Sequence, residues 1–165
     1  MPAKKAVLEE ATDWDLQFDI TVPAYEQVKE RAFPDEILAG VSIRPDGVIW
    51  SRAQKIVIWI ELTSPWEQNM VVRHFEKKGR YNQLAIDCES KGWRVLPICV
   101  EVGCRGHVGP SFHYMCKVLG FTKQELRDLK YVVETTAQHC SHSIVAARYQ
   151  QAWEEKPLLD ISKWH

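Results

Sequence analysis

Two acids and a lysine carry the chemistry most plainly written in this chain. Asp46 lies in one apolar run, Ile43–Ser51, and Glu61 in the next, Ile56–Thr63. The polar link Arg52-Ala53-Gln54-Lys55 between them is a hairpin signal. Side chains alternate along a strand. With that loop Ser51 pairs with Ile56, and counting back sets Asp46 opposite Glu61 on one face. Directly opposed Cβ atoms lie about 4.5–5.5 Å apart, and like charges there destabilise a sheet. Either acid alone is more simply read as pointing to water. The pair is different, because a hard cation removes the conflict. Mg²⁺ is held by one or two carboxylates together with water and substrate phosphate. The neighbours are Val, Ile and Trp, so the pocket would be partly dry, where such a charge weighs most.

Lys77 belongs to the segment Trp66–Ser90, which reads as a helix opened by Ser64 and Pro65 and stopped at Gly92. At about 100° per residue, Met70, His74, Lys77, Tyr81, Leu84 and Cys88 fall on one stripe. If that stripe faces the sheet, Lys77 and His74 project toward the core, and lysine is almost never buried without a partner. The hairpin acids are the obvious partners. A second apolar set, Val72, Phe75, Gly79 and Ile86, lies on the other side, and periodicity alone does not choose between the two. Arg73, Lys78 and Arg80 add positive charge that suits phosphate contacts or, equally, a solvated face paired with Glu76.

Two facing acids with a lysine suit metal-assisted hydrolysis of a phosphodiester. Metal between Asp46 and Glu61 supplies an activated water and charge neutralisation. Lys77 orients the water or stabilises developing negative charge. Glu67 and Glu101 are candidate further ligands. His74 either positions a phosphate or is a hydrogen-bonded core histidine. Arg105 either binds a phosphate or caps its own glycine-containing loop. Trp50, Trp59 and Trp93 read as core. The run His139-Cys140-Ser141-His142 lacks a second ligand pair at finger-like spacing, so it is not read as a zinc site.

The elements that must position these residues follow from pattern and punctuation. Residues 4–12 read as a short helix and Leu16–Val22 as a strand, while the segment to about Gly40 carries no clear signal. After the hairpin and the long helix comes a strand, Arg94–Val102, which Pro97 confines to a sheet edge or bulge. A glycine-containing loop, Gly103–Pro110, leads to two helices over Ser111–Trp153 broken near Gly120. A hairpin, a helix and a further strand imply a mixed sheet with a right-handed crossover. The expected fold is α/β: a mixed sheet flanked by helices, with C-terminal helices, as one domain over 1–156 and a tail over 157–165.

Composition bounds the possibilities. The 165 residues are 45% hydrophobic and 26% charged, with a net charge of −1. That balance argues against a nucleic-acid binder charged over its whole surface, but not against a local basic patch. There is no apolar run suited to a membrane span and no apolar stretch for a secretory signal near the start. The five cysteines are odd in number and none forms a Cys-x-x-Cys pair. They read as reduced thiols of a nuclear or otherwise intracellular protein.

At these residues the chain resembles the PD-(D/E)xK superfamily of restriction-enzyme-like nucleases. The match is Arg44-Pro45-Asp46 followed by Glu61-Leu62-Thr63. More closely, it resembles the restriction-like endonuclease domain of non-LTR retrotransposons and related metazoan proteins. Pro65-Trp66-Glu67 follows the second acid, and His74, Lys77 and Tyr81 stand at a shared helical spacing. Asp13-Trp14, Gly92-Trp93 and the run Val100–Gly106 extend the resemblance over about residues 12–120. It implies that Asp46, Glu61 and the Leu62 carbonyl hold Mg²⁺, or Mn²⁺ in its place. It implies that the lysine has moved from the strand, where Thr63 stands, to the helix as Lys77, with Tyr81 an accessory residue. Arg73, His74, Lys78, Arg80 and Arg105 would be the DNA-contacting set. The implied activity is nicking or cleaving target DNA, as a homodimer or as part of a larger reverse-transcriptase polyprotein. The alternatives are a nuclease-fold DNA-binding module without activity and a protein-interaction domain that reuses the fold.

Overall fold

The computed structural model describes residues 6–18, 35–38 and 45–149. Four strands form one sheet in chain order: β1 (Trp14–Phe18), β2 (Gly47–Ser51), β3 (Ile56–Thr63) and β4 (Arg94–Glu101). β1–β2 and β2–β3 pair antiparallel, and β3–β4 pair parallel. The sheet is therefore mixed, as expected. The helices are α1 (Asp35–Leu38), α2 (Met70–Arg80), α3 (Asn82–Ser90), α4 (Pro110–Leu119) and α5 (Lys123–Arg148). The expected tail over 157–165, Arg44 and strand residues 19–22 lie outside the described residues.

Alternation along β3 builds two cores at once. Ile56, Ile58 and Ile60 join Ile98, Val100, Phe112, Met115 and Cys116 on one face, with Leu126 and Leu129 of α5 against them. Val57 and Trp59 join Val48, Trp50, Tyr81, Leu84, Cys88 and Trp93 on the other. Central strand β3 is thus apolar on both faces until Glu61. All three tryptophans read as core are buried. β4 is the edge strand that Pro97 requires, since proline has no N–H to give a further neighbour.

The hairpin register is the expected one, with Ser51 paired to Ile56 and the ladder ending at Gly47–Ile60. The turn is pinned from β1's side: Ser51 Oγ and the Ala53 N–H both donate to Asp13, at 2.6 and 2.9 Å. The strand itself begins at Gly47 rather than Ile43, with Pro45 and Asp46 just ahead of it.

Further boundaries differ from the sequence reading. Of the helix expected over 4–12, residues 4–5 lie outside the described residues and the rest holds one 3-10 turn, Val7–Glu10, of which Val7 alone is buried, with Ala11 already extended. The strand expected from Leu16 starts at Trp14. The long helix expected over 66–90 opens instead with a 3-10 turn at Glu67–Asn69 and breaks at Tyr81 into α2 and α3. The stripe survives the break. Met70, Tyr81, Leu84 and Cys88 are buried and His74 and Lys77 half-buried, while Val72, Phe75 and Ile86 of the competing set are exposed.

At the far end Pro110 begins α4, Gly120 ends it, and Thr122 with Glu125 forms a capping box for α5. The loop after β4 docks on α5: Ser141 Oγ donates to the Cys104 carbonyl, and Gln138 Nε2 donates to the Arg105 carbonyl at 3.1 Å. Gly106 makes that approach feasible. Its φ is +94°, and an added Cβ would sit 2.7 Å from the Glu134 carbonyl oxygen. Gly106→Ala is expected to cost at least about 2 kcal/mol in urea unfolding, from left-handed strain and the clash together. Gly79→Ala, with open space around the added methyl, should instead be neutral or stabilising by up to about 1 kcal/mol. Similar values for the two variants would contradict the tight docking of this loop.

A candidate active site at the end of the central strands

The site forms where the β2–β3 ladder ends. One residue beyond Gly47 and Ile60 stand Asp46 and Glu61, so the paired acids sit at the mouth of the hairpin. Asp46 Oδ2 accepts from the Leu62 N–H at 2.6 Å, a side-chain bond where the ladder would otherwise continue. Glu61 is 5% exposed. Two side chains of the inward stripe converge on it. Lys77 Nζ donates to Glu61 Oε1, and Tyr81 OH donates to Oε2 at 2.6 Å. The break falls at Tyr81 itself, after Lys77 and before Leu84 and Cys88. α2 ends where Tyr81 reaches the carboxylate, and α3 then carries Leu84 and Cys88 onto Val57 and Trp59.

These bonds make burial of the acid tolerable. A carboxylate removed from water needs charge and hydrogen bonds around it, and here it has an ammonium on one oxygen and a phenol on the other. Burial first, then the bond to Glu61 and the charges of Glu61 and Asp46, hold the Tyr81 phenol above its ordinary value of 10.0. Tyr81 is therefore a hydrogen-bond donor throughout the neutral range and does not serve as the base. The folded chain keeps this proton at a pH where the unfolded chain has released it. The resulting stability is present below pH 10.0 and falls as pH rises past it. Tyr81→Phe should cost about 1–2 kcal/mol near neutral pH, and the gap to the wild type should narrow in alkaline urea titrations. A gap independent of pH would contradict the coupling.

The two acids at this strand end offer oxygen ligands alone, and the resemblance would add the Leu62 carbonyl. No cluster of three or more His, Cys, Asp or Glu side chains suited to a metal occurs among the described residues. Two carboxylates without a full protein cage is the arrangement Mg²⁺ favours, since it keeps several waters. A carboxylate offers about four lone-pair positions, so the bonds from Lys77 and Tyr81 leave Glu61 able to ligate. The residues present fit a hard divalent cation.

The remaining expected residues divide clearly. Lys78 and Arg80 are exposed and form no ion pair among the described residues. Arg73 is paired with Glu76 at 2.7 Å. Arg105 is held by Glu67, which accepts from its backbone N–H and its Nε at 2.9 Å each. Of the two readings left open for Arg105, loop bracing is the one this contact serves, and Glu67 is turned to that loop rather than to Asp46 and Glu61. Glu101, 4% exposed, is likewise committed: His74 Nδ1 lies 3.0 Å from Oε1, and Ser111 Oγ donates to Oε2 at 2.6 Å. The His74–Glu101–Ser111 and Glu67–Arg105 contacts were not foreseen from sequence. Nothing in local spacing links residues that far apart in the chain.

His139 and His142 are exposed on α5. All five cysteines are free thiols. No helix among the described residues is long and apolar enough to cross a membrane. Comparison with protein-family models, with curated proteins and with solved structures finds no match to this chain.

Proposed function

We propose that the protein is a metal-dependent DNA endonuclease or nickase with a PD-(D/E)xK-like fold, in which Asp46, Glu61 and Lys77 form the reactive centre. The observation that carries this reading is the convergence of Lys77 and Tyr81 on a buried glutamate at the same strand end as Asp46. As a device for stability the cluster is poor. Replacing buried ion pairs by apolar side chains of similar size is often neutral or stabilising, and an isoleucine at position 61 would simply continue the apolar strand.

Asp46, Glu61 and the Leu62 carbonyl would hold Mg²⁺ or Mn²⁺. When bound, such an ion supplies charge neutralisation at the phosphate and a water acidic enough to attack near neutral pH. The chain's own groups do the rest. The Leu62 N–H fixes the Asp46 carboxylate against β3, and Tyr81 fixes that of Glu61, so both are oriented before substrate arrives. The Lys77 ammonium lies beside the carboxylate, placed to stabilise negative charge developing on the phosphate. Lys78 and Arg80, both exposed on α2, would contact phosphates further along the strand. By resemblance, the biological target would be chromosomal DNA cut for retrotransposon insertion, with the protein acting as a dimer or within a larger polyprotein.

A second reading, a protein-interaction domain that reuses the fold, draws on Arg73 and Arg105 being engaged by carboxylates and on the net charge of −1. Incubation of supercoiled plasmid with the protein in Mg²⁺ or Mn²⁺, against EDTA, separates the two. Relaxation only with metal supports the nuclease. No relaxation in either condition overturns it, leaving an inactive DNA-binding module if the plasmid is still bound and the interaction domain if it is not.

A further inference from the structure

Beside the acids, a cavity of about 500 Å³ opens at the free edge of β4. Its walls come from helices on opposite faces of the sheet: Val71, His74, Phe75 and Lys78 from α2, and Ser111 and Tyr114 from α4. Two features do not belong to a sealed core. Phe75 and Tyr114 are 65% and 58% exposed, so large rings stand in water at the rim. The floor is polar, with buried Glu101 held by His74 and Ser111. The contact between His74 Nδ1 and Glu101 Oε1 fixes the ring in place. Phe75 packs edge-on against that ring at 5.6 Å between centroids.

The cavity adjoins the reactive centre through one strand neighbour. Cys99, part of its lining, is the direct partner of Glu61 across the β3–β4 ladder. Neighbouring strands lie about 4.8 Å apart, so a group in the cavity lies roughly one nucleotide from Glu61 and Lys77. Lys78 at the rim has no ion-pair partner among the described residues.

We propose that this cavity receives one unstacked nucleotide of a single-stranded DNA segment, its base against Phe75 and Tyr114, its phosphate toward Lys78 and its base edge toward the His74–Glu101 floor. The proposal rests on the nuclease reading and adds to it a substrate preference: single-stranded or locally opened DNA next to the cut. Exposed aromatic rings that stack bases are the usual basis of sequence-tolerant single-strand binding. A carboxylate has about four lone-pair positions, so Glu101, beside its bonds to His74 and Ser111, can still accept from an exocyclic amino group, as on cytosine. The volume lies within the range of small-ligand sites.

The probe is a short single-stranded oligonucleotide carrying a fluorescent purine analogue, titrated in EDTA so that binding is read apart from cleavage. Stacking should quench the analogue. Phe75→Ala and Tyr114→Ala should each weaken binding about tenfold and reduce the quench. Tyr131→Ala, an equally exposed ring on α5, should do neither. The exposure of Phe75 and Tyr114 means that their truncation spares the fold. Unchanged affinity and quench in both variants, with plasmid nicking intact, would overturn the cavity and leave the nuclease standing. Ring-dependent binding without cleavage of any DNA would support the cavity and remove the catalytic reading. A wild-type protein that neither binds nor cuts would end both.

Discussion

Glu61→Gln is expected to lower the rate of metal-dependent nicking by about a hundred- to a thousandfold while leaving the fold in place. Glutamine keeps the side-chain shape and an acceptor oxygen. Tyr81 or Lys77 can still donate to it, and β3 remains paired through Ile60 to Gly47 on β2 and through position 61 to Cys99 on β4. What is lost is the negative charge that holds a cation beside Asp46. Asp46→Ala removes the other carboxylate together with its bond to the Leu62 N–H, so the strand end should loosen as well as lose its ligand. Its loss of activity should be at least as large. Lys77→Met should also abolish most activity, but with a different signature. Metal binding, followed by thermal stabilisation on adding Mn²⁺, should weaken in the acid variants and persist in Lys77→Met. Three variants that nick at wild-type rate would remove these residues from the chemistry.

The second large effect is on stability, and it separates an ion pair from mere proximity. Lys77→Met leaves a 5% exposed carboxylate without its cation. Breaking a fully buried pair costs about 3–5 kcal/mol. Lys77 is 27% exposed along its side chain, so water offsets part of the loss and about 2–3 kcal/mol is expected. Glu61→Gln should cost about 1 kcal/mol or less, because the neutral amide no longer requires a cation. The double variant should then be more stable than Lys77→Met alone, with a coupling of about 1–2 kcal/mol in a double-mutant cycle. Strictly additive effects, measured as urea midpoints at neutral pH, would mean that the bond between Lys77 and Glu61 contributes nothing to folding. The double variant should also be catalytically dead, since a stability gain of this kind comes at the expense of the charges that do the chemistry.

The parts of this arrangement legible in the sequence are those fixed by short-range geometry. Alternation along two apolar runs and a four-residue link admit few registers, and a slip by one residue would turn Val57 and Trp59 out of their core. That is why pairing of Ser51 with Ile56 could be read directly. The stripe from Met70 to Cys88 could be read from helical period, although period could not exclude the set containing Val72 and Phe75. What decides between them is the sheet's second face, which offers Trp59 and Val57 as a floor for Tyr81 and Leu84. The break at Tyr81 was not legible, because no proline marks it and Gly79, two residues earlier, lies inside α2 without the positive φ of a helix-ending glycine. Tyr81 keeps near-helical angles (φ −93°, ψ −2°), and only its bond to Glu61, twenty residues back in sequence, gives the bend a reason. The partners of Glu67, Glu101 and Arg105 were hidden for the same cause. Each is set by where β4 and its following loop come to lie, and no local pattern encodes that. A sequence reading therefore finds candidate charged residues readily but not which of them already satisfy one another.

The most direct test of the central claim is a single comparison on supercoiled plasmid. Wild type and Asp46→Ala are incubated side by side in Mn²⁺ and in EDTA, with folding of both checked by urea denaturation. Relaxed circles formed by the wild type in Mn²⁺ alone, and by the variant in neither, are the expected result. Equal relaxation by the two folded proteins, or relaxation by the wild type that persists in EDTA, would contradict a metal-dependent site at Asp46 and Glu61.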